Sequence, residues 1–456
     1  MAPFALPAAL APFLAATAEE GHDFVPHLAW VAPFVAMLLA IAVLPLAAPH
    51  WWHSNRNRFL VALGCGLPVF GLFALNGDWH TIGHTAHEYV SFLVLLAALY
   101  TASGGIVLRG DLKATPVVNT TFLLIGAVLA SFMGTTGAAM LLIRPLIKTN
   151  SERRYNVHTV VFFIFAVCNV GGLLTPLGDP PLFLGYLRGV PFGWTFGLLP
   201  VWGFTVGAIL AVYLVLDTVL YRCEDRSDLR ADATQIEPLS FKGMGNFCFL
   251  GGIVAAVAFL TPGNVAKWLG TTETAPLPMF GRDLLLVLIA TGAYLTTKPA
   301  YRKENEFTWE PILEVAALFF GIFLSMMAAI KLLRVHGSEL GVDTPVEFFW
   351  VTGTLSAFLD NAPTYVVFFE TASSLPARAV DTMVVSGGAI GIPLLTSISL
   401  GAVFMGAMSY IGNAPNFMVK AIAEQRKIKM PSFFGYLLYS MVFLLPIFFL
   451  VTQIFL

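Results

Sequence analysis

Four short stretches put oxygen-bearing side chains where an apolar chain has little ordinary use for them. Asp179 stands in "TPLGDPP" (175–181) and Asp360, Asn361 and Thr364 in "DNAPT" (360–364). Asn413 and Asn416 stand in "GNAPN" (412–416), and Thr135 and Thr136 in "MGTTGAAM" (133–140). Carboxylate, amide and hydroxyl oxygens suit a hard cation such as sodium. A carboxylate also holds a proton, and a site that takes H⁺ or Na⁺ but not both is sufficient for exchange. Asp179, Asp360, Asn361 and Asn413 are the candidate Na⁺ ligands. Gly178 and Gly412, with the prolines beside them, interrupt helices, and the freed backbone groups are costly in lipid unless something binds them. The plainer alternative is that the acids only cap half-helices.

The surroundings make these residues conspicuous. Of 456 residues, 57% are hydrophobic and 11% charged, with a formal net charge of −2. Mean hydropathy is +0.78. That much apolar surface belongs in a bilayer, where an acid near the centre costs on the order of 3 kcal/mol. No Gly-rich phosphate loop, "GxSxG" or zinc-enzyme signature appears, so neither enzyme chemistry nor a bound cofactor is expected. The run "RKIKMP" (426–431) reads as a topogenic cluster and not as a nucleic-acid patch. The four cysteines are scattered, three in apolar runs, which argues against a disulfide framework. His80, His84 and His87 would share one helix face, a spacing that suits a metal or a pH sensor, although such a cluster with no backing Cys or acid triad is more often a solvated face.

The elements that must position the site are membrane helices. Apolar runs predict about ten spans near 27–49, 59–77, 88–108, 157–186, 192–221, 247–262, 282–297, 310–333, 386–423 and 432–456. The fold class is therefore an all-α integral membrane protein. "DWHTIGHTAHE" (78–88) reads as an outer loop. The positive-inside rule puts Arg56, Arg58, Arg109, Lys113, Arg226 and Arg230 in the cytoplasm and both termini outside. The first 26 residues form an apolar leader that resembles a signal peptide without its basic start. The run 117–143 is basic at its far flank as well as before it, so it predicts a re-entrant hairpin turning at Gly134–Gly137. A second apolar run, 347–369, breaks at "DNAPT". Lys331 and Arg334 fall on the wrong side for the rule. Glu314 is an accessory candidate near an inner helix end, while Glu88 and Glu370 read as solvated span ends.

The interruptions repeat. Residues 123–143 align with 349–369, pairing Leu129 with Leu355 and Phe132 with Phe358. Residues 172–184 align with 406–418, pairing Gly172 with Gly406, Gly178 with Gly412, Pro181 with Pro415 and Phe183 with Phe417. Each half, 27–221 and 247–456, then holds spans, a hairpin and a broken helix around a polar linker, 222–246. An odd number of crossings per half inverts the second copy, an arrangement used by secondary transporters.

At these motifs the chain resembles the ion transporter superfamily. "TPLGDPP" is similar to its "TP-x-G-x-PP" break and "IGNAPN" to its "G-N-x-P-N" break. "DNAPT" is similar to the hairpin tip of D-type sodium/proton antiporters and arsenite permeases. The resemblance covers the chain from about residue 90 and points to the branch of citrate transporters and sodium:proton antiporters. It implies two re-entrant hairpins, two broken helices and, as a rule, a homodimer. It also implies an ion site lined by Thr135, Thr136, Asp179, Asp360, Asn361, Thr364, Asn413 and Asn416. Citrate and dicarboxylate carriers of the superfamily carry Ser-Asn-Thr at their tips; here the tips read Gly-Thr-Thr and Asp-Asn-Ala-Pro-Thr. A substrate carboxylate would meet acids at the centre, at a cost of several kcal/mol even at an effective dielectric near 20. The expectation is a sodium/proton antiporter of a bacterial inner membrane. An ion-coupled carrier for citrate or an inorganic anion is the alternative, and a channel or scaffold the third.

Overall fold

Residues 24–225, 227, 232, 236–273, 275–376, 381–386 and 388–456 are described by a computed structural model. The leader expected over residues 1–26 falls mostly outside them, as do Arg226 and Arg230 of the linker. The chain is an all-α membrane protein. Nine helices among the described residues are long and apolar enough to cross a bilayer. The number is ten if Gly245–Phe259 and Pro262–Leu269, which meet at a 75° bend, make one span.

The first half runs α1 (Ala32–Ala47), α2 (Asn55–Leu75), α3 (Trp79–Ser103), strand β1 (Val107–Asp111), α4 (Pro116–Met133) and α5 (Thr135–Thr149). It continues with α6 (Val157–Ala166), α7 (Pro180–Leu187) and α8 (Leu199–Arg222). Strand β2 (Glu237–Lys242) pairs antiparallel with β1 and leads into α9 (Gly245–Phe259), α10 (Pro262–Leu269), α11 (Pro276–Thr296) and α12 (Glu310–His336). The second half closes with α13 (Pro345–Phe358), α14 (Asn361–Ser374), a ribbon of β3 (Thr382–Val385) and β4 (Gly388–Gly391), then α15 (Ile392–Met405), α16 (Ala414–Gln425) and α17 (Phe433–Phe455).

Two pairs of these helices are hairpins. α4 and α5 pack on each other and are separated by Gly134 alone, at φ +80°. The turn is thus tighter than the expected Gly134–Gly137, because one glycine in a positive-φ conformation reverses the chain. α13 and α14 form the second hairpin, broken at Leu359–Asp360. Two further pairs are interrupted helices. α6 ends at Ala166, a 3₁₀ turn spans Val170–Leu174, and α7 resumes at Pro180. α15 ends at Met405, a turn spans Gly406–Met408, and α16 resumes at Ala414. The span expected over 386–423 therefore begins with a β-ribbon, and only 392–425 is helical around the break.

The histidine stretch is helix, not loop. Asp78 accepts from the Thr81 backbone N–H at 3.1 Å and caps α3, so His80, His84 and His87 lie on its first turns. An N-cap aspartate satisfies one of the orphan donors of a helix start, and that outweighs the polar composition of the turn. Among the described residues no group of three or more His, Cys, Asp or Glu side chains is placed to hold a metal.

Charges at the helix ends are paired across the bundle. Arg188, just after α7, lies 2.9 Å from Glu88 of α3 and 3.4 Å from Glu370 of α14. Arg334 of α12 lies 2.9 Å from Glu370. Glu88 and Glu370 are buried at 4% and 0% exposure, which corrects their reading as solvated ends. Lys331 pairs with Asp78. The two basic residues that broke the charge rule are thus neutralised by acids of neighbouring helices. At the other end of the interrupted helix, Asp217 of α8 holds Arg153 at 2.6 Å and His158 of α6 at 2.8 Å. Asn119 of α4 donates to the same carboxylate at 3.3 Å. These buried pairs fix where the hairpins stand; removing one partner would strand the other in low dielectric.

Candidate functional site

The site begins with the carbonyls freed at the ends of the two first hairpin arms. Each hairpin's first arm is stapled to the break that follows it. The Thr175 hydroxyl donates to the Ser131 carbonyl, and the Ser409 hydroxyl to the Ala357 carbonyl. The same two oxygens accept backbone N–H groups, from Leu177 at 3.1 Å and from Ile411 at 3.2 Å. These contacts match residue for residue under the two alignments of the sequence. A hydroxyl that both gives and takes satisfies two groups that would cost several kcal/mol bare in lipid.

Glycine is required at both breaks for room. A Cβ on Gly178 would sit 2.0 Å from the Gly172 carbonyl oxygen, and one on Gly412 would sit 2.7 Å from that of Gly406. The tight loop at Gly178 points its own carbonyl at the first hairpin, where the Thr135 N–H takes it at 2.8 Å.

Asp179 is the centre. It is 2% exposed and holds the N-cap position of α7 in extended conformation. Its carboxylate accepts from Thr135 Oγ1 at 3.1 Å, Asn361 Nδ2 at 2.6 Å and Asn413 Nδ2 at 2.9 Å. Those donors come from the tip of one hairpin, the tip of the other, and the second break. Both breaks and both tips, far apart in the chain, meet on one carboxylate. All three donors are neutral. Ion pairs such as Arg58–Glu314, Arg153–Asp217, Arg188–Glu88 and Arg334–Glu370 lie elsewhere, and no Lys, Arg or His among the described residues forms one with Asp179 or Asp360.

The remaining candidates divide. Asp360 is the N-cap of α14 and accepts from the Ala362 N–H at 3.0 Å, one residue from the Asn361 that grips Asp179. Thr364 is buried and donates to the Asp360 carbonyl at 2.9 Å, so it shapes the tip. Asn416 is fully buried and caps two freed carbonyls of the second break, Gly406 at 2.8 Å and Ser409 at 2.9 Å. Thr136 is half-buried and takes no part in the hydrogen bonds to Asp179. Glu314 lies 3.0 Å from Arg58 and fastens α12 to α2; it does not join the cluster.

One residue was missed. Asn169 is fully buried between α6 and the 3₁₀ turn. Its Nδ2 donates to the Ile164 carbonyl and to Asn416 Oδ1, both at 2.8 Å, and its Oδ1 faces Asn413 Nδ2 at 3.3 Å. The signal was present: a lone amide in the apolar run "FAVCNVGG" (165–172), ten residues before Asp179.

The arrangement suits one kind of chemistry: a buried carboxylate with neutral donors and no basic ion-pair partner among the described residues is able to take up a cation or a proton. Sequence relationships agree with a transport role. An uncharacterized transporter of Mycobacterium bovis and one of Mycobacterium tuberculosis are each 24% identical to this chain over 330 residues, covering 69% of it and 71% of the relative. The matching family description is "Putative citrate transport", and the match runs over residues 24–456, taking in both hairpins and both breaks. The chain belongs to that family.

Proposed function

We propose that this protein is a secondary active transporter that exchanges Na⁺ for H⁺, with Asp179 and Asp360 as the carboxylates that hold one or the other. The observation that carries the reading is the isolation of Asp179: buried, held by three neutral donors, and without a basic side chain paired to it. Burying a carboxylate in low dielectric is costly unless it is protonated or joined by a cation. A permanent partner such as arginine would make a structural pair; a removable one makes a transport site.

Two halves of opposite orientation, 27–221 and 247–456, would present this site alternately to the two sides. The matched staples at Thr175 and Ser409 support that relationship. Asn361 and Thr135 would supply neutral groups that rearrange around the ion. The proposed setting is a bacterial inner membrane with both termini outside, and the proposed assembly is a homodimer.

The second reading is a cation-coupled citrate carrier, favoured by the description of the family. Purified protein in liposomes loaded with a pH-sensitive dye separates the two. Sodium or lithium added outside moves protons if the exchange reading is right. Proton movement that requires citrate, together with saturable citrate uptake, replaces it with the carrier.

A further inference from the structure

The way the Asn413 amide faces Asp179 is dictated from outside the cation site. The interruption at Ala166 frees the Ile164 and Cys168 carbonyls, and the one at Met405 frees those of Gly406 and Ser409. Asn416 spends both amide hydrogens on Gly406 and Ser409, so only its Oδ1 is left for Asn169. Asn169 spends both of its own on Ile164 and on Asn416 Oδ1, so only its Oδ1 is left for Asn413. Asn413 Nδ2 then lies among three acceptors: Cys168 O at 3.1 Å, Asn169 Oδ1 at 3.3 Å and Asp179 Oδ1 at 2.9 Å. An amide is turned by its acceptors. Backbone carbonyls cannot turn, so the order of the whole chain is fixed.

We infer that Asn169 is a positioning residue for the cation site: together with the Cys168 carbonyl, which accepts from the same nitrogen, it holds the amide nitrogen of Asn413 toward Asp179 and opposes a turn that would bring Asn413 Oδ1 onto the cation. An N–H on a carboxylate oxygen occupies a lone pair that an incoming cation needs. A carbonyl oxygen turned the same way would add a ligand. The lock therefore weakens the grip on the ion and speeds its release. This rests on the exchange reading. It adds that the affinity of the site is set by a residue that does not touch the ion.

The test is sodium binding and sodium-driven proton movement in wild type, Asn169→Ala, Asn413→Ala and the double variant. Binding is measured by calorimetry on the full-length protein in detergent and flux in liposomes. Asn169→Ala lowers the half-saturating sodium about fivefold and lowers the maximal rate as well, the size expected for one reoriented hydrogen-bonding group. In the Asn413→Ala background the same substitution changes neither, because there is no amide left to turn. A general loss of packing would reduce rate in both backgrounds and would not tighten binding. Asn169→Ser, smaller and still polar, shifts half-saturation in the same direction if the alanine variant folds poorly. Half-saturation that is unchanged or raised in the single variants, or changed equally without Asn413, overturns the inference while wild type still exchanges. Absence of sodium binding and flux in wild type overturns the exchange reading, and the inference with it.

Discussion

Asn413 donates to Asp179 at 2.9 Å, and the two occupy aligned positions of the two interrupted helices. Where the repeat would set the same residue against itself, one half supplies an acid and the other an amide. Two carboxylates about 4 Å apart would repel by about 4 kcal/mol at an effective dielectric of 20. The amide removes that repulsion between the two aligned positions. The account therefore predicts that the charge can change sides. Asp179→Asn and Asn413→Asp singly suppress sodium-driven proton movement, by removing the charge or by doubling it. The combined variant has one acid facing one amide again and recovers roughly a tenth or more of the wild-type rate, because neighbouring substitutions do not add. Dye-reported flux in liposomes at matched protein amounts measures this.

The hydroxyl staples are predicted to matter for stability. Thr175→Ala strips the Ser131 carbonyl of its donor and the Leu177 N–H of its acceptor. Ser409→Ala does the same to Ala357 and Ile411. Each leaves buried backbone unsatisfied, at about 1–3 kcal/mol. Thermal melts of the detergent-solubilised variants should fall together, and Thr175→Ser should stay near wild type.

Glycine substitutions should rank by clearance. The atom nearest a Cβ at Gly178 is a backbone oxygen at 2.0 Å, against 2.7 Å at Gly412. Gly178→Ala should therefore cost more folded protein than Gly412→Ala, and both more than alanine at Gly203, where nothing lies within 4 Å. The monodisperse fraction on size-exclusion chromatography gives the order.

The arginine after α7 should be among the costliest surface-distant positions to change. Arg188→Ala leaves Glu88 and Glu370 buried at 4% and 0% exposure with one basic contact removed from each. Breaking a buried pair in this way costs about 3–5 kcal/mol. Adding Glu88→Gln removes one stranded charge and should recover part of the loss in melting temperature. By contrast, Lys148→Ala breaks an exposed pair with Glu237 and should leave the melt close to wild type.

Particular residues show what could be read before the fold was known. That Asp179, Asn361 and Asn413 meet was legible because a lone polar group in an apolar run, near Gly or Pro, has few structural uses in a membrane, whereas the Asp360 carboxylate caps α14 through the Ala362 N–H. The first hairpin was legible because basic flanks on both sides of 117–143 left no room for a simple crossing, and the second because 347–369 breaks at "DNAPT" and aligns with it. Asn169 carried the same polarity signal but no adjacent Pro, and its partners Asn413 and Asn416 lie more than 240 residues on. Glu88 and Glu370 looked solvated because they sit near helix ends, and only the packing of α3, α7, α12 and α14 brings Arg188 and Arg334 to them. The start of α3 was hidden because three histidines mask a helix that Asp78 caps. Pairings of this kind belong to tertiary structure and leave no local pattern.

The most direct measurement is proton movement in dye-loaded proteoliposomes on addition of sodium, comparing wild type with Asp179→Asn and Asp360→Asn. The account predicts sodium-driven proton efflux in wild type and traces matching protein-free vesicles in both variants, with all three proteins equally monodisperse. Wild-type exchange in either variant, or a wild type that moves protons only when citrate is present, would contradict it.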